Sequence, residues 1–300
     1  MDDFDSIDLV ARTHNPINAQ LGRWKASLAL NFDKLNGRTF LAKKQHSGPL
    51  VIQKSLHPEG DAICHGIIIH PPGGVAGGDE LRLQVALAAH ANVLLTTPGA
   101  GKWYKANSQV ASQHMHFNVA ENACLEWLPQ ENILFDGAMV DFSASINLHE
   151  SAKYVGWEIL CFGRHARGER WDKGRLTQHL TIKRANKIIW QEQAMLVAHD
   201  RFFESVIGMG GNVVSASFLI AAGSIPANLL AECQQLQLND IDKHADGNAR
   251  FGVTVLPEVI SARYIGMSAP AARQYFEKLW HILRPWYLSQ SAVNPRIWNT

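Results

Sequence analysis

Strict alternation of apolar and polar residues runs through most of this chain and constrains its fold more than any other feature. Side chains two positions apart lie on one face of a β-strand, so the pattern is typical of strands with one buried face. The clearest apolar faces are Ala26, Leu28, Leu30 and Phe32; Leu81, Leu83, Val85 and Leu87; Val140, Phe142, Ala144, Ile146 and Leu148; and Leu176, Leu180 and Ile182. The alternation predicts a mainly β fold.

Two helices are predicted near the C-terminus. The first begins near Pro226, where a proline suits the first turn, and the second begins at Ser268, a good N-cap, and ends at Pro285. Residues 251–255 and 259–265 alternate again between them and predict a hairpin. No linker divides the chain, so residues 1–300 are expected to form a single domain.

Composition excludes several classes of protein. A net charge of +1 argues against a broad nucleic-acid surface, and no stretch approaches the ~20 apolar residues that cross a bilayer. The acidic start of the chain lacks the features of a secretory signal, which predicts a cytoplasmic protein. The four cysteines form no CxxC pair, so we expect reduced core residues and neither a zinc site nor a disulfide framework.

A glycine-rich loop follows the strand-like segment 64–69. It reads His70, Pro71, Pro72, Gly73, Gly74, Val75, Ala76, Gly77, Gly78 and Asp79. The prolines stiffen the path, and the glycines permit backbone angles or close approaches that other residues do not allow. The segment suits neither helix nor regular strand and predicts a specific structural loop that delivers Asp79 to a fixed place.

Familiar catalytic motifs find little support. Gly101-Lys102 is followed by Trp103, so the P-loop pattern fails, and no Gly-x-Ser-x-Gly elbow occurs. His114 and His116 share a face of a predicted strand and could ligate a metal, but a solvated strand face explains them as well.

Four carboxylates are the remaining candidates for chemistry: Asp79, Glu126, Glu131 and Glu158. Glu158 lies within an apolar strand and by alternation faces away from Trp157, either into solvent or into a second interior face. An unpaired interior carboxylate attracts a cation or takes up a proton. A surface position, or pairing with Arg164, is the alternative.

Five segments in order carry a family resemblance: 70–79, 95–104, 125–131, 157–164 and 295–298. Together they resemble the urease accessory protein UreD family, also called UreH, from about Trp24 to the C-terminus. The resemblance implies an elongated, β-helix-like stack of strands with two α-helices near the C-terminus. Within that single domain, residues 1–20 are expected to form a flexible N-terminal segment.

The resemblance also implies a function. Members are maturation factors, not enzymes: they help insert nickel into the urease apoprotein in a GTP-dependent complex with UreF and UreG, whose GTPase activity belongs to UreG. UreE supplies the nickel indirectly. No tightly bound cofactor is implied, only transient Ni(II), which relatives are thought to pass through an internal passage lined partly by carboxylates.

Site residues follow from this resemblance. Asp79 matches the loop aspartate of the family and is the first candidate for the nickel path, with Glu158, Glu126 and Glu131 as further candidates. Lys102, Tyr104, Arg296 and Trp298 are assigned to docking, although Trp298 would serve equally as a core residue. Two other functions stay open: a small-molecule enzyme using Asp79 or Glu158 as acid or base, and a pure interaction module.

Overall fold

The structure, a computed structural model, describes residues 24–237 and 249–299, so the segment 1–20 predicted to be flexible lies outside the described residues. The strands are β1 (Lys25–Leu35), β2 (Arg38–Ser47), β3 (Val51–Ile52), β4 (Ile63–Ile69), β5 (Glu80–Leu87), β6 (Asn92–Thr96), β7 (Gly101–Trp103), β8 (Ala111–Val119), β9 (Cys124–Trp127), β10 (Asn132–Leu134), β11 (Met139–Leu148), β12 (Lys153–Phe162), β13 (Arg175–Arg184), β14 (Lys187–Val197), β15 (Val214–Ala221), β16 (Arg250–Val255) and β17 (Ile260–Gly266). The helices are α1 (Ala227–Gln234) and α2 (Ala269–Leu288). The prediction of a mainly β fold is confirmed.

The strands form two sheets that the chain visits in turn. One has the order β14-β13-β11-β8-β5-β1-β2, and the other has the order β16-β17-β15-β12-β9-β6-β4-β3, with β10 pairing to β12 and to β7. From β4 to β13 the longer strands alternate between the sheets and pair in parallel within each. The result is a solenoid-like stack of coils, as the resemblance implied. Antiparallel strands close both ends of the stack, among them β2, β14 and β17.

The predicted alternation becomes burial on the faces that the two sheets turn toward each other. Ala26, Leu28, Leu30 and Phe32 of β1 are each no more than 2% exposed. They belong to one apolar cluster that contains inward residues of both sheets. A second cluster lies between the ten-stranded sheet and α2. The ten-stranded sheet is therefore buried on both faces in its centre, as parallel strands usually are.

The cysteines lie where the sequence predicts. All four are free, three are buried and Cys161 is half-buried. Burial raises the pKa of the Cys64 thiol to about 11, which keeps it protonated and unreactive at neutral pH.

Helix α2 begins as predicted but ends later than predicted. The Ser268 hydroxyl caps it by accepting a hydrogen bond from the Ala271 N–H at 3.2 Å. The predicted end at Pro285 is wrong, because the helix continues to Leu288. An internal proline costs a helix about 3 kcal/mol. Here the last turn is retained because it carries Tyr287, whose buried side chain is hydrogen-bonded inside the protein.

Neither of the two helices in the described ranges has the length and apolar character that a bilayer-spanning helix needs.

Candidate functional site

A cavity remains between the two sheets. Its volume is about 340 Å³, and its walls are mainly apolar. Met115 and Phe142 line it from the seven-stranded sheet, and Trp127 and Leu219 line it from the ten-stranded sheet. A space of this size holds several water molecules if polar groups face it.

The cavity opens where the parallel strands β4, β6 and β9 end. His70 follows β4, the segment 97–101 follows β6, and Gln130 follows β9, and all of them line the cavity. Burial lowers the pKa of His70, which the Asp79 carboxylate partly offsets. His70 is therefore a largely neutral imidazole at the opening at pH 7.

At this opening, backbone hydrogen bonds join the glycine-rich loop to residues 102–104. The Val75 N–H donates to the Lys102 carbonyl at 2.8 Å, and the Tyr104 N–H donates to the Val75 carbonyl at 2.9 Å. Gly74 lies so close to the Tyr104 ring that an added Cβ would stand 2.3 Å from it. The loop is therefore an ordered wall of the opening; Gly74 serves close packing, whereas Gly73 and Gly78 adopt positive φ angles of 79° and 91°.

Gly77 has less room for a side chain than Gly73 or Gly74. A Cβ there would lie 2.0 Å from the backbone carbonyl oxygen of Ala106. We expect Gly77→Ala to destabilise the protein by about 1–3 kcal/mol, because the backbone must move to relieve the clash. Urea unfolding checks this, with Gly252→Ala as the control, since a Cβ at Gly252 meets nothing within 4 Å. Equal stability of the two variants would contradict the prediction.

Asp79 closes the loop. One carboxylate oxygen accepts from the Trp24 N–H at 3.0 Å and the other accepts from the Ala76 N–H at 2.9 Å. Asp79 lies outside the wall of the cavity. Its contacts tie the end of the loop to the start of β1, so the geometry gives it a positioning role, and its assignment to a nickel path stays a prediction.

Two substitutions separate these roles of Asp79. Asp79→Asn keeps one acceptor oxygen and Asp79→Ala keeps none, so we expect stability to fall in the order wild type, Asn, Ala, with the alanine variant losing about 1–3 kcal/mol. Urea unfolding measures this order. Equal stability of all three proteins would contradict the positioning role. A role as metal ligand is tested separately: it predicts that both variants lose nickel transfer equally, even though their stabilities differ.

Glu158 is the candidate carboxylate that faces the cavity. Its neighbours in β12, Trp157 and Ile159, belong to the cluster on the opposite face of the sheet, under α2. Of the alternatives that the sequence left open, the second interior face is the one observed. Arg164 does not pair with Glu158, because it pairs with Glu169.

The surroundings of Glu158 hold its proton unusually tightly. Burial raises the pKa of this carboxyl to about 7, with the Glu192 carboxylate adding to the rise. A hydrogen bond from Gln178 Nε2 at 2.5 Å and the charge of Arg263 act in the opposite direction. At neutral pH the group exchanges readily between neutral and charged forms, and a cation can displace its proton.

Further polar groups accompany Glu158 along the cavity. Gln113, Asn132, Gln178 and Ser217 all line it. In the described part of the chain, no three histidine, cysteine, aspartate or glutamate side chains are placed to hold a metal ion together. The Glu158 carboxylate and the amide and hydroxyl oxygens of the wall bind divalent metals weakly compared with imidazole or thiolate, and the wall also contains the imidazoles of His70, at the opening, and His179.

Glu126 lies on the other face of the sheet and outside the wall of the cavity, and its assignment to a nickel path stays a prediction. It is 1% exposed, and its oxygens accept from Arg284 at 2.9–3.2 Å, Trp280 Nε1 at 2.7 Å and the Tyr287 hydroxyl at 2.6 Å. Burial and then the Glu126 charge raise the pKa of Tyr287 well above its usual value, so this hydroxyl remains a donor. Because these donors use its acceptor capacity, Glu126 has none left for a metal.

Glu131 is also engaged away from the cavity. Its carboxylate accepts from Arg273 Nη2 of α2 at 2.5 Å. Glu131 therefore links the residue before β10 to α2, and of the four predicted carboxylates Glu158 is the one that lines the cavity.

The predicted docking residues divide into two kinds. Lys102, Tyr104 and Arg296 are exposed and remain candidates for contact with partners. Trp298 is half-buried: its indole N–H donates to the Thr96 hydroxyl at 2.8 Å. Its ring also packs near Trp157 and Trp280. The core interpretation of Trp298 is the one that the structure supports.

His114 and His116 lie on the outer face of the seven-stranded sheet. His114 Nδ1 is 2.6 Å from the Ser143 hydroxyl, within hydrogen-bond distance. The solvated strand face therefore explains these histidines.

Sequence reasoning missed Gln178 and Ser217. Both carried a signal, because each is a polar residue in phase with an otherwise buried apolar face, Gln178 between Leu176 and Leu180 and Ser217 two residues before Leu219. A polar residue in that phase indicates an interior polar site.

The chain is similar to known proteins over nearly its whole length. A family model described as UreD urease accessory protein matches residues 25–299. A urease accessory protein UreD of Methylobacillus flagellatus is 55% identical over 278 residues, which cover 93% of this chain and 95% of the relative. Those of Dechloromonas aromatica and of a Janthinobacterium species are 44% and 40% identical, covering 92% and 99% of this chain and 95% and 98% of the relatives.

Proposed function

Because the chain belongs to the UreD family of urease accessory proteins, we propose that it is a maturation factor through which nickel reaches the urease apoprotein. In this proposal the protein catalyses no reaction of its own. Nickel is its cargo, carried transiently and not held as a cofactor.

One observation carries the proposal beyond the family name. The carboxylate of Glu158 faces a cavity that lies between the sheets and opens at the glycine-rich loop. Carboxylate, amide and hydroxyl oxygens outnumber the two imidazoles of the wall, and oxygen ligands bind Ni(II) less tightly than imidazole or thiolate, so a divalent cation can enter and leave. A carrier must release its cargo, so this weak set suits transfer better than storage.

The partners in this proposal come from the family resemblance. UreF would bind the chain directly and bring UreG, whose GTP hydrolysis would drive the assembly, while UreE would supply nickel indirectly. The exposed Lys102, Tyr104 and Arg296 are the docking candidates. In this proposal the protein acts in the cytoplasm, as expected from its sequence.

Nickel content of urease tests the proposal. Cells that lack their own UreD gene are given this chain as wild type, Glu158→Gln or Glu121→Gln. Glu121 is an exposed glutamate at a turn and serves as the matched control. We expect wild type and Glu121→Gln to restore nickel and activity, and Glu158→Gln to lower nickel per urease on the order of tenfold while the accessory complex still assembles.

Each contrary outcome has its own meaning. Full nickel with Glu158→Gln would overturn the passage and leave a pure interaction module. No rescue by wild type, despite expression and binding to the urease apoprotein, would overturn the maturation role.

A further inference from the structure

A line of polar residues leads from the cavity to the edge of the two sheets. Strand register places Glu158 of β12 beside Ser217 of β15, and Ser217 beside Arg263 of β17. In the opposite sheet, Glu192 of β14 pairs in register with Leu180, which lines the cavity. These residues share one level of the solenoid.

Arg263 and Glu192 meet across the gap between the sheets. Arg263 Nη1 and Nη2 donate to the two oxygens of Glu192, each at 2.9 Å. The two side chains are 44% and 33% exposed, so the pair lies where the space between the sheets reaches solvent. Both charges also act on the pKa of Glu158, which places them within electrostatic range of the cavity.

Side chains alone close the gap at this level. β14 is hydrogen-bonded to β13, and β17 is hydrogen-bonded to β15 and β16, so no backbone ladder joins β14 to β17. β14 and β17 therefore face each other through side chains, and no backbone hydrogen bond between them has to break for the space between the sheets to open.

The Arg263 contact is easily exchanged compared with another arginine that bridges the solenoid. Arg184 bonds to Glu258 and also to the backbone carbonyls of Ala152 and Ala221. Among the described residues, Arg263 directs its hydrogen bonds to Glu192 alone. Exposed pairs contribute about 0–1 kcal/mol, and this one lies toward the upper end because it is bidentate and its guanidinium is 5.8 Å from the centre of the Trp190 ring, so thermal motion still opens it.

We propose that the Arg263–Glu192 pair closes a second, lateral opening of the cavity, through which Glu158 communicates with solvent when the pair separates. Resting on the proposed function, this opening serves as the route by which a divalent cation leaves Glu158. When the guanidinium moves away, it removes a positive charge from the route and leaves Glu192 free to attract the cation.

Chemical labelling of the purified full-length chain tests the lateral opening without nickel or urease. Cys161→Ser removes the half-buried thiol, and Ser217→Cys places a thiol in the polar line. A small neutral methanethiosulfonate reagent reports access to this thiol. Losing the positive charge of Arg263 would lower the fraction of the Ser217→Cys thiol present as thiolate, which by itself slows labelling. Faster labelling in Arg263→Ala therefore reports greater access of the reagent and not a more reactive thiol.

We expect Arg263→Ala to speed labelling of Ser217→Cys on the order of tenfold, and the charge-swapped Arg263→Glu/Glu192→Arg protein to restore the slow rate. Arg38→Ala, which breaks an exposed ion pair with Asp61, should leave the rate unchanged. Gly99→Cys, an exposed position at the first opening, should label equally fast with and without Arg263.

An unchanged labelling rate in a folded Arg263→Ala protein would overturn the lateral opening. Faster labelling of both thiols would also overturn it, because it would show general loosening. Neither result bears on nickel transfer by Glu158→Gln, so this proposal and the proposed function fail independently.

Discussion

Replacing Glu158 with glutamine is expected to make the protein more stable at pH 8 while lowering its transfer of nickel. Burial raises the pKa of the native carboxyl to about 7, against the ordinary value of 4.5. Between these pH values the native state binds more protons than the unfolded state, so wild-type stability falls as pH rises through this window. Glutamine, which is neutral at every pH, removes that loss.

The size of the effect follows from the same shift. One pKa unit corresponds to 1.36 kcal/mol, so about 3 kcal/mol is the upper bound for the gain at pH 8. At pH 4.5 most of the gain should be lost, because the native carboxyl is then protonated and the unfolded one is half protonated, and at still lower pH the gain should vanish.

Urea unfolding at pH 4.5 and pH 8 measures the difference. Exposed Glu121 again supplies the control, and Glu121→Gln should change stability little at either pH. A gain from Glu158→Gln that is the same at both pH values would contradict the assigned pKa. Greater stability of Glu158→Gln combined with lower nickel transfer would show that the Glu158 carboxylate serves transfer although it lowers the stability of the fold.

Replacing Arg284 with methionine is expected to have the largest effect on stability. Arg284 of α2 is completely buried between Glu126 and Glu59, which are 1% and 3% exposed. Its guanidinium bonds to both carboxylates and to the Ser291 carbonyl. Removing one partner from such a buried cluster costs about 3–5 kcal/mol, because the charges left behind are neither paired nor hydrated.

Urea unfolding and the yield of soluble protein check this prediction. Arg38→Met serves as the matched control, since the Arg38–Asp61 pair is more than half exposed and should cost no more than about 1 kcal/mol. If Arg284→Met does not fold, the double variant Arg284→Met/Glu126→Gln should recover part of the yield, because glutamine removes one unpaired charge and still accepts from Trp280. Equal losses in Arg284→Met and Arg38→Met would contradict the cluster's role.

This cluster explains why one sequence prediction was correct in type and wrong in extent. The N-cap at Ser268 and the apolar stripe of α2 are local, so the sequence predicts both. The helix passes Pro285 because its last turn carries Tyr287, whose hydroxyl donates a hydrogen bond to the distant Glu126. No local pattern reports partners that lie so far away along the chain.

The carboxylates show the same division. Glu126 and Glu158 each lie in an apolar strand, and period-two alternation establishes which face of its strand each one occupies. One face of the sheet is covered by a helix that carries an arginine, and the other borders a cavity. For this reason the oxygens of Glu126 accept hydrogen bonds from α2, whereas the carboxylate of Glu158 is accessible to a cation in the cavity.

The sequence by itself determined the mainly β fold with its clearly alternating strands, the starts of the two helices, the unpaired cysteines and the family, because alternation, capping residues and ordered motifs are local properties of the chain. Tertiary structure alone decided that Asp79 closes a loop, that Glu158 faces the cavity and that Arg263 meets Glu192 across the sheets. The physical reason is that a carboxylate's role depends on the groups that the fold brings to it, and these come from strands far apart in sequence.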